Sequence, residues 1–329
     1  MSSSTPFLLG TRRFAPMFAT QFFGAFNDNI FKYALLMVFT YGWIPKGDIS
    51  VSTLNNVAAL LFILPFFIFS ATAGQIADRH ERSNLIQWLK IGEIAVMCIA
   101  TVGFFIGNIW LLLFALFMMG AQSAIFGPIK YAILPDILEE TELMTGNAIF
   151  QSGTSLAILL GMVVGGIVIS LSLGNMWWIC LTLIVVAILG YLSSRMILKQ
   201  KIADPNLKVN WNVFVTSWQI VKFSYGLPLI FLVLLGNSWY WFYGATVITQ
   251  IPQMSAQYLH GNENVSSLIL TFFSIGIVIG SALCKKLSGE HVNIKMVPFG
   301  AIGLTLFAIY LAWALAQLPS FQGDLFNIA

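Results

Sequence analysis

Charge is the scarcest thing in this 329-residue chain. Only 9% of its residues are Asp, Glu, Lys or Arg, where a soluble domain carries about a quarter. That scarcity excludes a water-exposed globule, and a hydrophobic content of 58% says where the chain sits instead, mostly in lipid. Cysteine is nearly absent too. Cys98, Cys180 and Cys284 lie far apart in or beside apolar runs, which excludes a disulfide framework and a metal-ligand spacing and leaves three small core residues. There is no Gly-x-x-x-x-Gly-Lys phosphate loop, so ATP-driven pumping has no foothold, and no cofactor is implied. A cleavable signal peptide is missing as well. Arg12 and Arg13 lead into an apolar segment that carries polar residues and has no small-residue cleavage site, so the segment reads as a permanent helix.

What is present is a series of long apolar runs, each of roughly 20 residues or more, the length a helix needs to cross about 30 Å of hydrocarbon. The expected fold is therefore all-α and polytopic, with nine membrane helices at about 14–42, 52–77, 84–106, 109–128, 144–172, 175–197, 225–250, 264–287 and 295–317. An N-terminus in the cytoplasm puts Arg12, Arg13, Arg79, Arg82, Lys90, Lys130, Arg195, Lys199, Lys201, Lys208, Lys222, Lys285, Lys286 and Lys295 on the inner side and only Lys46 outside, in keeping with the positive-inside rule. The net charge of +3 is thus a matter of loop position and implies no nucleic acid. Trp43, Trp110, Trp177 and Trp178 fall at the expected outer helix ends, at headgroup level.

The longest connection, about 198–224, is basic and contains Pro205. It places Trp211, Phe214, Val215, Trp218 and Val221 on one side of an expected helix lying along the inner membrane surface. It divides the chain into a six-helix bundle (residues 1–197), this linker (198–224) and a three-helix part (225–329). An internal echo supports the division. The turn after span two reads Gly74-Gln-Ile-Ala-Asp78-Arg79-His-Glu-Arg82, and the turn after span eight reads Gly280-Ser-Ala-Leu-Cys284-Lys285-Lys286. A duplicated six-helix unit explains both, leaving the second half three helices short. Twelve spans need on the order of 380 residues, so the chain reads as truncated or as a piece of a longer frame.

Within span one, Asp28 lies about 14 residues from either end, roughly 21 Å along a helix and near mid-membrane. A charge there costs about 2.5–3.5 kcal/mol, so it must face a partner or a cavity. Two readings stand. Lys32, one turn away, neutralises it in a structural pair. Alternatively Asp28 binds a proton, a cation or a lipid headgroup, with Asn27 and Asn29 shaping the site. Lys90 and Glu93 in span three form a similar pair nearer the inner surface, read as structural. At the end of span four, Gly127 and Pro128 are expected to interrupt the helix and leave Lys130, beside Tyr131, to meet a phosphate. Gly153, Gly161, Gly165 and Gly166 in span five, and Gly276 and Gly280 in span eight, allow close helix contact.

The turn Gly74, Asp78, Arg79, Arg82 resembles the signature of major facilitators. There the glycine lets the helix end approach its neighbour, and the Asp and Arg residues clamp a helix end or its carbonyls in one conformation, which makes the turn gating machinery. Three further stretches are Phe-Gly-Ala-Phe-Asn-Asp-Asn from Phe23 to Asn29, the run from Phe126 to Asp136, and Ser238-Trp-Tyr-Trp-Phe-Tyr-Gly-Ala245. They resemble the lysophospholipid transporter family, and most of all its versions fused to an acyltransferase and an acyl-carrier-protein synthetase.

The resemblance implies a major facilitator fold in a bacterial inner membrane. The substrate it implies is a lysophospholipid such as lysophosphatidylethanolamine, carried to the inner leaflet. Asp28 and Lys130 then stand where the family pattern carries charge in the pathway, and an acyltransferase or acyl-carrier-protein synthetase is an implied partner or fused domain. Relatives often have an acid in span five where this chain has Gln151. Phe22, Phe23 and Phe26 would give an acyl tail its apolar walls. A facilitator for a small polar solute or drug shares the gating turn and remains the alternative. An enzyme is disfavoured, because membrane acyltransferases space a His and an Asp with four residues between them, and His80, His260 and His291 are followed at that spacing by Leu85, Val265 and Met296.

Overall fold

A computed structural model of the chain describes residues 8–45, 47–172, 176–288 and 296–317. Lys46, His291 and Lys295, all used above, lie outside these residues, and the side chains of Cys284, Lys285 and Lys286 lie outside the description as well. The described elements are helical: α1 (Ala15–Tyr41), α2 (Val51–Arg79), α3 (Arg82–Ile106), α4 (Ile109–Ala132), the single turn α5 (Leu134–Ile137), α6 (Leu143–Leu171), α7 (Trp177–Arg195), α8 (Val213–Tyr225), α9 (Pro228–Gln257), α10 (Glu263–Ser288) and α11 (Met296–Ala316).

A long helix occupies each of the nine expected positions. By length and composition, and among the described residues, six of them are apolar enough to cross a membrane: α2, α3, α4, α6, α7 and α11. The pair α8 and α9, bent by 118°, makes a seventh if taken as one span. Helix α1 is long enough at 27 residues but falls short for polarity, carrying Gln21, Asn27, Asp28, Asn29 and Lys32 in its middle. Helix α10 runs over Glu263–Ser288, and its stretch Glu263–Ile277 is apolar.

Local chemistry sets the helix ends. Ser50, Glu81 and Asn108 accept backbone N–H groups of the first turns of α2, α3 and α4, satisfying donors that have no intrahelical partner. Helices α1 and α3 stop where Gly42 and Gly107 take φ of 69° and 63°, a left-handed conformation open to glycine at no steric cost. One expected break does not occur. Helix α4 runs through Gly127 and Pro128 to Ala132 before α5 begins. A proline removes one N–H bond, and packed neighbours in a membrane bundle tolerate that loss.

The chain forms two compact units, Met1–Thr249 and Gln250–Ala329. In the first, α1 packs on α6 and α7, α2 on α4, and α3 on both α4 and α7. The expected glycine contacts are present in α6. A Cβ on Gly161 would come 2.5 Å from the Phe26 carbonyl oxygen, and one on Gly165 would come 2.7 Å from that of Ile30, so α1 and α6 touch backbone to backbone. One end of the unit is closed by an apolar plug that includes Phe14, Ile86, Phe126, Ile129, Leu134 and Phe150. Arg13 secures that end by donating to Glu142 at 2.6 Å. Trp110, Trp177 and Trp178 are 60–65% exposed at the opposite end.

The second unit holds the end of α9 together with α10 and α11. Gly261 N–H donates to the Ser255 carbonyl at 2.9 Å across the α9–α10 turn, where His260 takes φ of 50°. Among the described residues Gly276 and Gly280 have nothing within 4 Å of a Cβ position, so the close contact expected at that pair is not found among them.

Candidate functional site

Consecutive residues of a helix point about 100° apart, and that geometry separates the three polar residues expected to form one site on α1. Asn27 faces α3, where its Nδ2 donates to Glu93 Oε1 at 3.2 Å. Asn29 turns back along its own helix, Nδ2 donating to the Ala25 carbonyl at 2.7 Å, with its Cβ against Gly161 of α6. Asp28 alone faces α4, where Oδ2 accepts the Ser123 hydroxyl at 2.5 Å. Asn27 and Asn29 therefore make no hydrogen bond to the Asp28 carboxylate among the described residues, and the Oδ1 of each is buried without a hydrogen-bond partner among them, as one oxygen of Asp28 is.

The Asp28 carboxylate is half used. Its Oδ1 is buried and has no hydrogen-bond partner among the described residues. Lys32 does not neutralise it by contact, and no Asp28–Lys32 pair within 4 Å occurs among the described ion pairs. The Lys32 ammonium instead lies 4.9 Å from the centroid of Phe62 on α2, a cation held by a ring face. Phe18, Phe22 and Phe26 stack at 6.0–6.3 Å along one side of α1, while Phe23 turns towards Gly190 of α7. Two of the three expected apolar residues thus share a wall.

Lys130 lies seven residues beyond Ser123 on α4, two turns and roughly 10 Å along the helix. Its ammonium sits 5.2 Å from the Tyr131 ring, and the Tyr131 hydroxyl donates to Gln151 Oε1 of α6 at 2.8 Å. Lys130, Tyr131 and Gln151 thus form one group at the far end of α4, with the Lys130 ammonium still within electrostatic range of Asp28.

The second charged pair is structural, as expected, and fully buried. Lys90 and Glu93 are 0% and 1% exposed, paired at 2.6 Å, and lie at the level of Gly24 and Asn27 rather than near a surface. Gly24 is a glycine for this reason, since a Cβ there would stand 2.3 Å from Lys90 Nζ. The same ammonium lies 5.1 Å from the Phe126 ring. Lys90 is therefore a core residue and no topology signal. The clue was depth: eight residues into an α-helix is already roughly 12 Å from its start.

At the plugged end, Arg82 gathers the turn that joins α2 and α3. Its guanidinium donates to the carbonyls of Ala77 at 3.3 Å and Ala132 at 3.0 Å, to Asp78 at 3.0 Å, and to Asp136 of α5. One side chain, 8% exposed, thus holds the ends of α2 and α4 and the start of α5. Arg79 is exposed and makes no hydrogen bond among the described residues. Gly74 has open space among the described residues where a Cβ would stand, so the close approach expected there is not made; α2 meets α4 at Gly120 instead, where a Cβ would come 2.5 Å from the Phe62 carbonyl oxygen.

The linker lies on the same turn. Backbone N–H groups of Gln200, Asp204 and Asn210 donate to Glu81 Oε1, the Asp78 carbonyl and Gln75 Oε1 at 2.9, 2.9 and 2.7 Å. Burial pushes the Glu81 pKa up, but the N–H groups of Gln200, Ser83 and Asn84 outweigh it and hold the carboxyl below its ordinary range.

A bundle of long apolar helices with a buried charged site and an Arg-clamped turn fits a membrane transporter. The Major Facilitator Superfamily pattern matches residues 17–323, and the chain belongs to that superfamily as a multi-pass membrane transporter. It is 25% identical over 312 residues to "Lysophospholipid transporter LplT" of Photorhabdus laumondii, covering 92% of this chain and 74% of that one. It is 24% identical over 324 residues to the protein of the same name from Escherichia coli O1:K1 / APEC, covering 94% and 76%. Among solved structures, the POT family transporter PepTSo superposes with a TM-score of 0.43 at 14% identity. That match covers 79% of this chain and 52% of that one, about half its length, a likeness too low to bear on function.

Proposed function

We propose that this chain carries lysophospholipids across a bacterial inner membrane to the cytoplasmic leaflet by alternating access, and that it is not an enzyme. The observation that carries the reading is Asp28, a buried mid-helix carboxylate with one oxygen on Ser123 and the other unpartnered. A buried carboxylate oxygen left without a hydrogen bond can take a mobile cation, and the ammonium of an ethanolamine headgroup is one. Lys130, about two turns along α4, suits the phosphate, so the two residues act as successive stations on one pathway. The Phe18, Phe22 and Phe26 stack supplies a wall for the acyl chain. The two relatives named as lysophospholipid transporters support the substrate class.

The same reading takes all nine long helices as crossings, with the N-terminus cytoplasmic and Arg82 at the cytoplasmic end. Residues 1–197 and 225–329 then form the two bundles that rock about the site, and residues 198–224 are the cytoplasmic linker between them. Gly74, Asp78, Arg79 and Arg82 serve as the gate, with Arg82 its working member in the conformation described. An acyltransferase or acyl-carrier-protein synthetase, separate or fused, is the enzyme that would consume the imported lysolipid. The test is uptake of labelled lysophosphatidylethanolamine by vesicles holding the purified protein, beside a small polar solute. Lysolipid uptake without solute uptake is expected; solute uptake alone would hand the site to a polar-solute facilitator.

A further inference from the structure

An amphipathic helix on a soluble surface buries its apolar face. Helix α8 does the reverse. It packs on α2 with Thr216 and Ser224 buried, and turns Phe214, Trp218, Phe223 and Tyr225 outward at 68–73% exposure. A medium that accepts such a face is apolar or interfacial, and ring systems with polar tips favour headgroup depth.

The charge around it has one sign. From Arg195 to Tyr225 the exposed cations are Arg195, Lys199, Lys201, Lys208 and Lys222, against the single carboxylate of Asp204. At the 118° elbow between α8 and α9 a shallow groove is lined by Gln219, Lys222, Phe223, Gly226 and Leu227. Gln219 and Lys222 are three residues apart and share a helix face, so an amide donor and an ammonium converge beside two apolar side chains. No carboxylate lies within 4 Å of Lys222 among the described ion pairs.

We propose that this elbow binds the headgroup phosphate of an anionic phospholipid of the bilayer itself, with Lys222 as the cation, Gln219 as a second donor, and Phe223 and Leu227 against the lipid's apolar part. The site is distinct from the Asp28 pathway. It rests on the chain's being a membrane protein and not on the lysolipid substrate. Its occupancy bears on the gate through the linker, because α8 continues the segment whose Gln200, Asp204 and Asn210 N–H groups hold the turn that carries Arg82. Bound anionic lipid keeps α8 seated and those three bonds closed.

The probe is phosphatidylglycerol added to the detergent-purified full chain, with retained lipid counted by native mass spectrometry. Lys222→Gln is expected to weaken retention about fivefold, the worth of one cation beside anionic lipid. Lys222→Arg restores it, Lys208→Gln changes it less, and excess inorganic phosphate does not displace it. Equal retention by the parent chain and Lys222→Gln overturns the proposal, and so does an equal loss in Lys208→Gln, which would mean diffuse charge. Displacement by inorganic phosphate would make it a free-anion site and overturns the lipid assignment. The link to the gate is read by amide exchange at 200–210, expected to slow when phosphatidylglycerol joins phosphatidylcholine around the parent chain but not around Lys222→Gln. Exchange that ignores phosphatidylglycerol removes the link. Lysolipid uptake is measured separately, so a failed substrate reading leaves these results standing.

Discussion

Glu93 and Asp28 are two acids in one bundle, and they are held in opposite ways. Glu93 has both oxygens engaged, one by the Lys90 ammonium at 2.6 Å and one by Asn27 at 3.2 Å. Asp28 has one oxygen on Ser123 and the other free of partners. A fully paired buried charge is an anchor, because nothing is left to bind and loss of either partner strands the other. A half-paired one retains capacity for a ligand, at a standing cost to the fold. Helix α1 thus carries a fixed side towards α3 and an available side towards α4, one residue apart.

The comparison breaks first on stability. Glu93→Ala or Lys90→Ala should each cost about 3–5 kcal/mol by leaving a buried charge alone, seen as a large drop in the thermal midpoint in detergent. Asp28→Asn, which can still accept from Ser123, should cost about 1 kcal/mol or less. Equal losses would erase the distinction. Next in size, Arg82→Ala should cost about 3 kcal/mol, since Asp78, Asp136 and two helix-end carbonyls lose one shared donor.

Glycines sharpen the contrast between packed and open faces. Gly161→Ala should destabilise by about 1–3 kcal/mol, because its Cβ meets the Phe26 carbonyl, which cannot move aside. Gly74→Ala meets nothing and should be neutral or gain up to about 1 kcal/mol from helix propensity. A stable Gly74→Ala that transports poorly would show that the glycine serves a second conformation.

The smallest effect is expected at Glu81. Its folded pKa is depressed, so its contribution is present above the ordinary glutamate range and is lost as pH falls through the folded value. Amide exchange at Ser83, Asn84 and Gln200, corrected for intrinsic rate, should quicken on acidification in the parent chain. In Glu81→Gln it should show no such step.

Much of this was legible in the residues. Long apolar runs located the helices to within seven residues at their ends, because apolar length is a local property. Gly161 and Gly165 announced a close contact, and Arg82 announced a clamp. What a neighbour offers was not legible. Nothing local to α1 says that Asn27 meets a carboxylate on α3 while Asp28 meets a hydroxyl on α4, and nothing in Gly127-Pro128 says that surrounding helices keep α4 intact. Lys32 looked like the partner of Asp28 from spacing alone, yet the Phe62 ring on α2 takes its ammonium. Side chains at helical spacing compete with partners on other helices, and one chain's spacing does not reveal them.

The most direct test of the account is uptake of labelled lysophosphatidylethanolamine by vesicles holding the parent protein or Asp28→Asn at equal, folded amounts. The account predicts uptake by the parent and its loss in Asp28→Asn, with the thermal midpoint of the variant little changed. Undiminished uptake by Asp28→Asn would contradict it, since the half-paired carboxylate would then be a feature of the fold alone.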